Sequence, residues 1–248
     1  MSQPSHLQLL VQDLLKPQAY PEHPPQVALL ETHISYLFLT GTHVYKVKKP
    51  VNLGFLDFTT LRKRHHYCQQ EVLLNRRLSP DIYLGVVKIT LGPEGCTLGE
   101  KGKAVEYAVR MLQLPQEKAL SRLLDTDQVT PSMMEQLARR IAHFHSQAET
   151  SPRITRVGGW PTVRHNVLEN FLQTERYVDT AIPRSAYLDL KGYSQAFLEV
   201  CRILFKRREQ EQKIRDTHGD LHTAQIWFVN GIEITDCIEF NQRFRYGD

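Results

Sequence analysis

The chain has 248 residues, of which 41% are hydrophobic and 23% are charged, with 13 Gly and 13 Pro. This composition is typical of a folded globular protein and excludes a disordered or fibrous class. No stretch approaches the roughly 18 apolar residues of a membrane span, and the N-terminus lacks a secretory pattern, so we expect no membrane partner. The 31 basic and 27 acidic residues give a net charge of +4. That excess is compatible with small anionic substrates but too small to predict nucleic-acid binding.

The four cysteines are far apart in the sequence and form no Cys-x-x-Cys pair; they are Cys68, Cys96, Cys201 and Cys237. In a chain of this size, the pattern favours free thiols in a reducing compartment over a disulfide framework. We therefore predict a cytoplasmic protein.

The first half predicts a small sheet with one long helix. Prolines interrupt the chain up to residue 26, and the strand predicted at 43–48 carries lysines on one face. The long helix carries Glu71, and Thr59 or Thr60 can cap its start. The predicted elements are a helix at 7–15, strands at 33–40 and 43–48, a helix at 59–78, and strands at 83–90 and 104–111.

The second half is mainly helical and ends in a short hairpin around Asn230-Gly231. Its predicted elements are helices at 131–147, about 164–180 and about 185–212, followed by strands at 226–229 and 232–235. The fold class is therefore α+β, with a small mixed β-sheet lobe that contains one helix and a mainly helical lobe. We predict three segments: a lead-in at 1–26, a small lobe at 27–114 and a helical lobe at 115–248.

The densest polar cluster runs from Thr217 to Gln225, and Asp236 follows just downstream. Two aspartates beside the strands of one hairpin, Asp220 and Asp236, would lie close together. One can take the proton of a substrate hydroxyl while the other holds a divalent cation on phosphate oxygens, as phosphoryl transfer requires. A single aspartate is more often a helix cap or a turn former. The interpretation therefore depends on the order in which His218, Asp220, Gln225 and Asp236 follow one another.

His218-Gly219-Asp220-Leu221-His222 and Ile234-Thr235-Asp236 resemble the aminoglycoside phosphotransferase and choline-kinase-like branch of the protein-kinase-like fold. Further segments are similar to bacterial aminoglycoside phosphotransferase family enzymes: Val44–Pro50, Phe55–Phe58, Leu74–Leu78 and Asp236–Asn241. The resemblance covers about residues 27–248 and implies a two-lobed kinase-like fold that uses ATP and Mg²⁺. It also implies transfer of the γ-phosphate to a hydroxyl of a small molecule, and the sequence leaves that acceptor unidentified.

By the same resemblance, Asp220 orients or deprotonates the acceptor hydroxyl, and His218 supports its loop. Asp236 is implied to bind Mg²⁺. Gln225 occupies the position of the second metal ligand, where the family has Asn. The extra methylene moves the amide oxygen by roughly 1 Å, which an octahedral Mg²⁺ site tolerates poorly.

The resemblance also implies a set of nucleotide-binding residues in the first lobe. Lys46 matches the strand lysine that pairs with phosphates, and Lys48 is the alternative because it shares the same face of the strand. Glu71 matches the helix partner of that lysine, and Met111 falls where the adenine-contacting hinge begins. Taken alone, strand lysines and a glutamate on a charged helix would be solvated surface residues.

Three features depart from the family pattern: Gln225, the lack of Gly-x-Gly-x-x-Gly in the first hairpin, and the end of the chain at Asp248, twelve residues after Asp236. The last predicts a truncated helical lobe whose apolar face a partner could cover. Gln225 and the end of the chain favour an alternative, a catalytically degenerate module that binds nucleotide or a partner. A metallophosphoesterase reading of Asp220-Leu221-His222 fails, because no histidine follows to complete a two-metal site.

Overall fold

The computed structural model describes residues 6–99 and 102–248. The segment Met1–Ser5, which shows no secretory pattern, lies outside the described residues. The chain divides into two compact units. The first comprises the described residues up to Arg140 together with Leu221–Asn241, and the second comprises Ile141–Asp220 with Gln242–Asp248. The borders lie after Arg140, Asp220 and Asn241, and the predicted border between 114 and 115 is not among them.

The first unit begins with a short helix and is built around a six-stranded sheet. Both strands of the predicted first hairpin and the long helix are confirmed, and the side chain of Thr60 caps that helix by accepting a hydrogen bond from the amide of Lys63. The bounds are α1 His6–Leu14, β1 Ala28–Glu31, β2 Ser35–Leu39, β3 His43–Lys48, α2 Leu61–Asn75, β4 Tyr83–Gly92, β5 Gly95–Leu98 and β6 Ala104–Leu112. Two strands were not predicted: β1, whose four residues are all exposed, and β5.

The sheet has the order β1-β2-β3-β6-β4-β5 and is antiparallel throughout. The α+β class is confirmed, but the predicted mixed sheet is wrong. Strands β3 and β4 are connected through α2 and run in the same direction, because both are antiparallel to β6. Since β6 lies between them in the sheet, they do not pair with each other, and no parallel pair forms.

The two faces of the sheet pack against different helices. On one face, Tyr45 and Val47 of β3 join a buried cluster with Leu10 and Leu14 of α1. On the other face, Val109 of β6 packs with residues of α2. Side chains alternate along a strand, so Val44, Lys46 and Lys48 of β3 lie on the α2 face. The core therefore directs both candidate lysines towards α2.

The remaining helices partly match the prediction. The helix predicted at 131–147 is confirmed, and the one predicted at 164–180 is shifted because Pro161 lies in its first turn rather than ahead of it. The single helix predicted at 185–212 is two, broken at Cys201. The bounds are α3 Leu120–Asp125, α4 Pro131–Gln147, α5 Pro152–Gly158, α6 Trp160–Thr174, α7 Arg184–Val200 and α8 Arg202–Gln210.

The last part of the chain contributes to both units. Its elements are β7 Arg215–Asp216, β8 Ile226–Trp227, β9 Glu233–Ile234, α9 Gln242–Arg245 and β10 Tyr246–Gly247. The predicted hairpin is confirmed as β8 and β9 in the first unit, whereas β7 pairs with β10 in the second. Within the described residues, we find no helix with the length and apolar content that crossing a bilayer requires.

Candidate functional site

The first unit contains a cavity of about 700 Å³ on the α2 face of the sheet. Most of its wall is apolar, with leucines of β2 on one side and Trp227 of β8 on another. Polar side chains also line it, among them Lys46, Gln225, Thr235 and Asp236. The other lining residues are Leu30, Thr32, His33, Ile34, Leu37, Leu39, Val44, Leu53, Phe55, Ile82, Tyr83, Met111, Leu112, Gln113, Leu114, Gln116 and Ala224.

Lys46 is one of the charged residues of the cavity wall. Its Nζ lies 2.9 Å from Oε1 of Glu71 and forms a second ion pair with Asp236. The side chain of Glu71 is fully buried, whereas that of Asp236 is 52% exposed. The structure thus brings together three predicted site residues from β3, α2 and the segment after β9.

Lys48 lies deeper, and only 1% of its side chain is exposed. Its Nζ donates to Oε2 of Glu71 at 2.5 Å and to Oε1 of Glu239. The two candidate lysines therefore share Glu71, but Lys46 lines the cavity and Lys48 is enclosed between two carboxylates. The interpretation of Lys48 as a solvated surface residue is wrong, because α2 and the segment after Asp236 cover it.

The charges of this network perturb its pKa values in different directions. Burial lowers the pKa of Lys46, but Asp236 and Glu71 outweigh it and raise that pKa well above its ordinary value. Burial raises the pKa of Glu71, yet the two lysines bring it below its ordinary value. Burial raises the pKa of Glu239 despite the opposing effect of Lys48. Lys46 and Glu71 are therefore both charged at neutral pH.

Asp236 follows β9 with a backbone φ of 66°, in the left-handed region. Its amide donates to the hydroxyl of Tyr83 at 3.0 Å, and the next amide, of Cys237, donates to Oδ1 of Asn75 at 2.9 Å. Just before it, the hydroxyl of Ser79 bonds both the amide and the carbonyl of Ile234, at 2.8 and 3.0 Å. The end of α2, the loop that follows it and the first residue of β4 therefore hold the backbone on both sides of Asp236.

Gln225 and Met111 also line the cavity. The carbonyl of Gln225 accepts a hydrogen bond from the amide of Thr235 at 3.0 Å, so the hairpin places Gln225 next to the residue that precedes Asp236. Met111 lies one residue before the end of β6. The amide of Gln113, just beyond this strand, donates to the carbonyl of Thr42 in the β2–β3 turn.

His218 and Asp220 belong to the second unit, whereas Lys46, Glu71 and Asp236 belong to the first. His218 is buried, and its Nδ1 accepts a hydrogen bond from the amide of Asp220 at 3.4 Å. The loop is anchored by Thr217, whose amide and hydroxyl both donate to the carbonyl of Arg245. Arg245 in turn forms a buried bidentate pair with Asp216, at 2.7 and 3.2 Å.

Sequence reasoning assigned no role to Asn75, Ser79, Tyr83 or Glu239. Asn75 and Glu239 fall within two of the family-like segments, 74–78 and 236–241, so a signal was present there. Their function as backbone and lysine partners becomes visible only when α2 and the last hairpin are brought together.

No protein-family model matches the chain. Proteins of Mycobacterium tuberculosis and Mycobacterium bovis, each named as uncharacterized, are 27% identical to it over 225 residues. The match covers 90% of this chain and 44% of each relative, so the chain spans less than half the length of these curated relatives. Their names state no activity, so a functional assignment depends on the motifs and on the geometry of the site.

Proposed function

We propose that this chain is an ATP- and Mg²⁺-dependent phosphotransferase that transfers the γ-phosphoryl group to a hydroxyl of a small molecule. The observation that carries the proposal is Lys46, which lines a largely apolar cavity and pairs with both Glu71 and Asp236. A strand lysine, a helix glutamate and a metal-binding aspartate are the parts from which kinases build a phosphate site. The proposal includes the two-lobed kinase-like arrangement and membership of the aminoglycoside phosphotransferase family, which the motifs resemble.

The cavity suits a nucleotide in size and in chemistry. Ligand sites commonly measure about 300–1,000 Å³ and combine apolar walls with a few polar groups. The apolar wall near Met111 would hold the base, and Lys46 would pair with the phosphates. Since Glu71 also binds Lys46, the ammonium group is held at the cavity wall before any phosphate arrives.

The residues present fit a magnesium ion that is bound together with phosphates. Asp236 supplies a half-exposed carboxylate, and Gln225 supplies an amide in the same cavity. Within residues 6–99 and 102–248, no group of three or more His, Cys, Asp or Glu could hold a metal ion. Mg²⁺ usually needs only one or two protein carboxylates when phosphates and waters complete its coordination. When bound, it would neutralise charge on the phosphate oxygens.

Asp220 is the proposed residue on the acceptor side. Its carboxylate would orient the acceptor hydroxyl and take its proton. At the same time the hydroxyl oxygen would bond to the γ-phosphorus, and the bond from that phosphorus to the bridging oxygen of the leaving ADP would break. The hydrogen bond from the Asp220 amide to His218 supports the assignment of His218 as the residue that shapes this loop.

The test is transfer of labelled γ-phosphate from ATP to a panel of sugars, amino alcohols and aminoglycosides in the presence of Mg²⁺. We expect transfer by the unmodified chain, and loss of transfer with near-normal ATP affinity in Asp220→Ala. Equal loss of transfer and affinity would overturn the assignment of Asp220. Absence of transfer and of ATP binding by the unmodified chain would overturn the proposed function.

Gln225 favours a second candidate, a degenerate module that binds nucleotide without turnover. Its longer side chain places the amide oxygen differently from the Asn of the family motif. The discriminating result is ATP binding without transfer or ATP hydrolysis. If the long amide is the defect, Gln225→Asn will raise the rate of transfer, and an unchanged rate would count against this explanation.

A further inference from the structure

The second lysine of β3 is not explained by phosphate binding. Lys48 has 1% of its side chain exposed and is enclosed by Glu71 and Glu239. Phe58 adds an aromatic ring 4.9 Å from its Nζ. The ammonium group of Lys48 already has two carboxylate partners, and it is Lys46 that lines the cavity where phosphates would bind.

The buried pair between Lys48 and Glu239 is also not explained by stability alone. Removing two charges from water is costly, and apolar replacements of a buried ion pair are often neutral or stabilising. Such pairs are best attested where they fix one conformation among several. We therefore expect the pair of Lys48 and Glu239 to fix the conformation of a nearby segment.

Asp236 is the residue whose conformation needs fixing. Its φ of 66° lies in the left-handed region, which aspartate adopts more readily than most residues with a side chain, and here the neighbouring backbone groups are held by side chains of other elements. Ser79 holds the chain before Asp236, while Tyr83 and Asn75 bind its own amide and the next one. Glu239, three residues after Asp236, is tied to β3 by Lys48.

We propose that Lys48 and Glu239 are a positioning pair that holds the segment after Asp236, so that its carboxylate is presented to a metal ion bound with nucleotide. The inference deepens the proposed function and depends on it. Lys46 and Lys48 thus have separate tasks: Lys46 pairs with phosphate, and Lys48 acts through Glu239 on the metal-binding aspartate. Glu71 contacts both lysines and joins the two tasks.

The test compares the ATP dissociation constant with Mg²⁺ and with EDTA in Glu239→Gln, a substitution that preserves shape and leaves Lys48 paired with Glu71. We expect the Mg²⁺-dependent gain in affinity to fall by about tenfold or more, as for other residues that orient metal ligands. Affinity in EDTA should not change. The matched control is Glu106→Gln, which removes another buried carboxylate, paired with Arg64 in the same unit. This control should keep the full Mg²⁺-dependent gain.

Hydrogen exchange at the amides of Asp236 and Cys237 gives a second readout that needs no nucleotide. Both amides donate to side chains of the first unit, so loosening of this segment should speed their exchange in Glu239→Gln and not in Glu106→Gln. An unchanged Mg²⁺-dependent gain, unchanged exchange, or an equal loss of affinity with and without Mg²⁺ would overturn the positioning role. If the unmodified chain binds no ATP, the proposed function fails, whereas the exchange data still decide whether Glu239 holds the segment.

Discussion

Two lysines on one face of β3 have different surroundings, and the sequence could predict only what they share. Strand alternation places Val44, Lys46 and Lys48 on the same face. It does not reveal that Glu239 comes back to meet Lys48, because that contact joins residues 191 positions apart. The candidate residues were therefore predictable from motif and periodicity, while the division between an open and an enclosed lysine depended on tertiary packing.

Removing each lysine should affect stability differently. Lys48→Met leaves Glu71 with Lys46 but removes the cation from the buried carboxylate of Glu239, and breaking a buried pair in this way costs about 3–5 kcal/mol. Lys46→Met should cost clearly less, because Glu71 keeps Lys48 and Asp236 is half exposed. Urea unfolding at neutral pH measures both values. Equal losses for the two variants would contradict the environments described here.

Cys68 should resist alkylation in the folded chain. Burial raises the pKa of its thiol to about 12, from an ordinary value of 9.0. The unfolded chain loses this proton near pH 9.0, whereas the folded chain keeps it up to about pH 12. The contribution of the buried thiol to folding stability is therefore complete below pH 9.0 and is lost as the pH rises through about 12. At pH 9.0 we expect iodoacetamide to label half-buried Cys201 before Cys68, as mass spectrometry can show. Preferential labelling of Cys68 in the folded chain would contradict this account.

At the scale of elements, α2 shows why its buried face was hard to recognise. Arg64, Glu71 and Asn75 lie on that face together with Cys68 and Val72. Polar side chains conceal the apolar periodicity from which burial is usually inferred. Each has a specific partner in the structure, in β6, β3 or the segment after Asp236. The helix itself was predictable, whereas its orientation was not.

Ser79 ties the loop after α2 to the last hairpin, so Ser79→Ala should destabilise the first unit. The change removes both hydrogen bonds to the backbone of Ile234. Leaving buried backbone groups without partners costs about 1–3 kcal/mol each. Denaturant unfolding would measure the loss, and Ser132→Ala on the exposed start of α4 is the control. If Ser79→Ala were as stable as the unmodified chain, the role of Ser79 in holding the hairpin would be contradicted.

Helix α7 has apolar residues on two faces, and only one of them is buried. Leu198 is 3% exposed, whereas Val200, two positions later, is 80% exposed. Leu198→Ala should therefore cost about 2–5 kcal/mol, while Val200→Thr should change stability by less than about 0.5 kcal/mol. Urea unfolding of the two variants tests this contrast, and similar losses would contradict it. The apolar pattern of the sequence could not distinguish these faces.

At the scale of the whole molecule, the sequence predicted the class and most elements but not the division into units. The hairpin β8–β9 comes late in the chain and yet belongs to the first unit. The amide of Phe228 donates to the carbonyl of Lys118, and Ser79 holds Ile234, so contacts across large sequence separations fix the hairpin there. Local periodicity carries no record of such contacts, and a boundary near residue 114 was therefore the natural expectation.

The most direct measurement is thermal unfolding of the chain with ATP, with Mg²⁺ and with both. A ligand that binds only the folded state stabilises it by about 2.7 kcal/mol at a hundredfold excess over its dissociation constant. We predict that the midpoint rises most with Mg²⁺ and ATP together, that Lys46→Met loses this rise, and that Lys88→Met, an exposed lysine of β4, keeps it. A cooperative transition that does not respond to ATP with or without Mg²⁺ would contradict the assignment of a nucleotide site around Lys46 and Asp236.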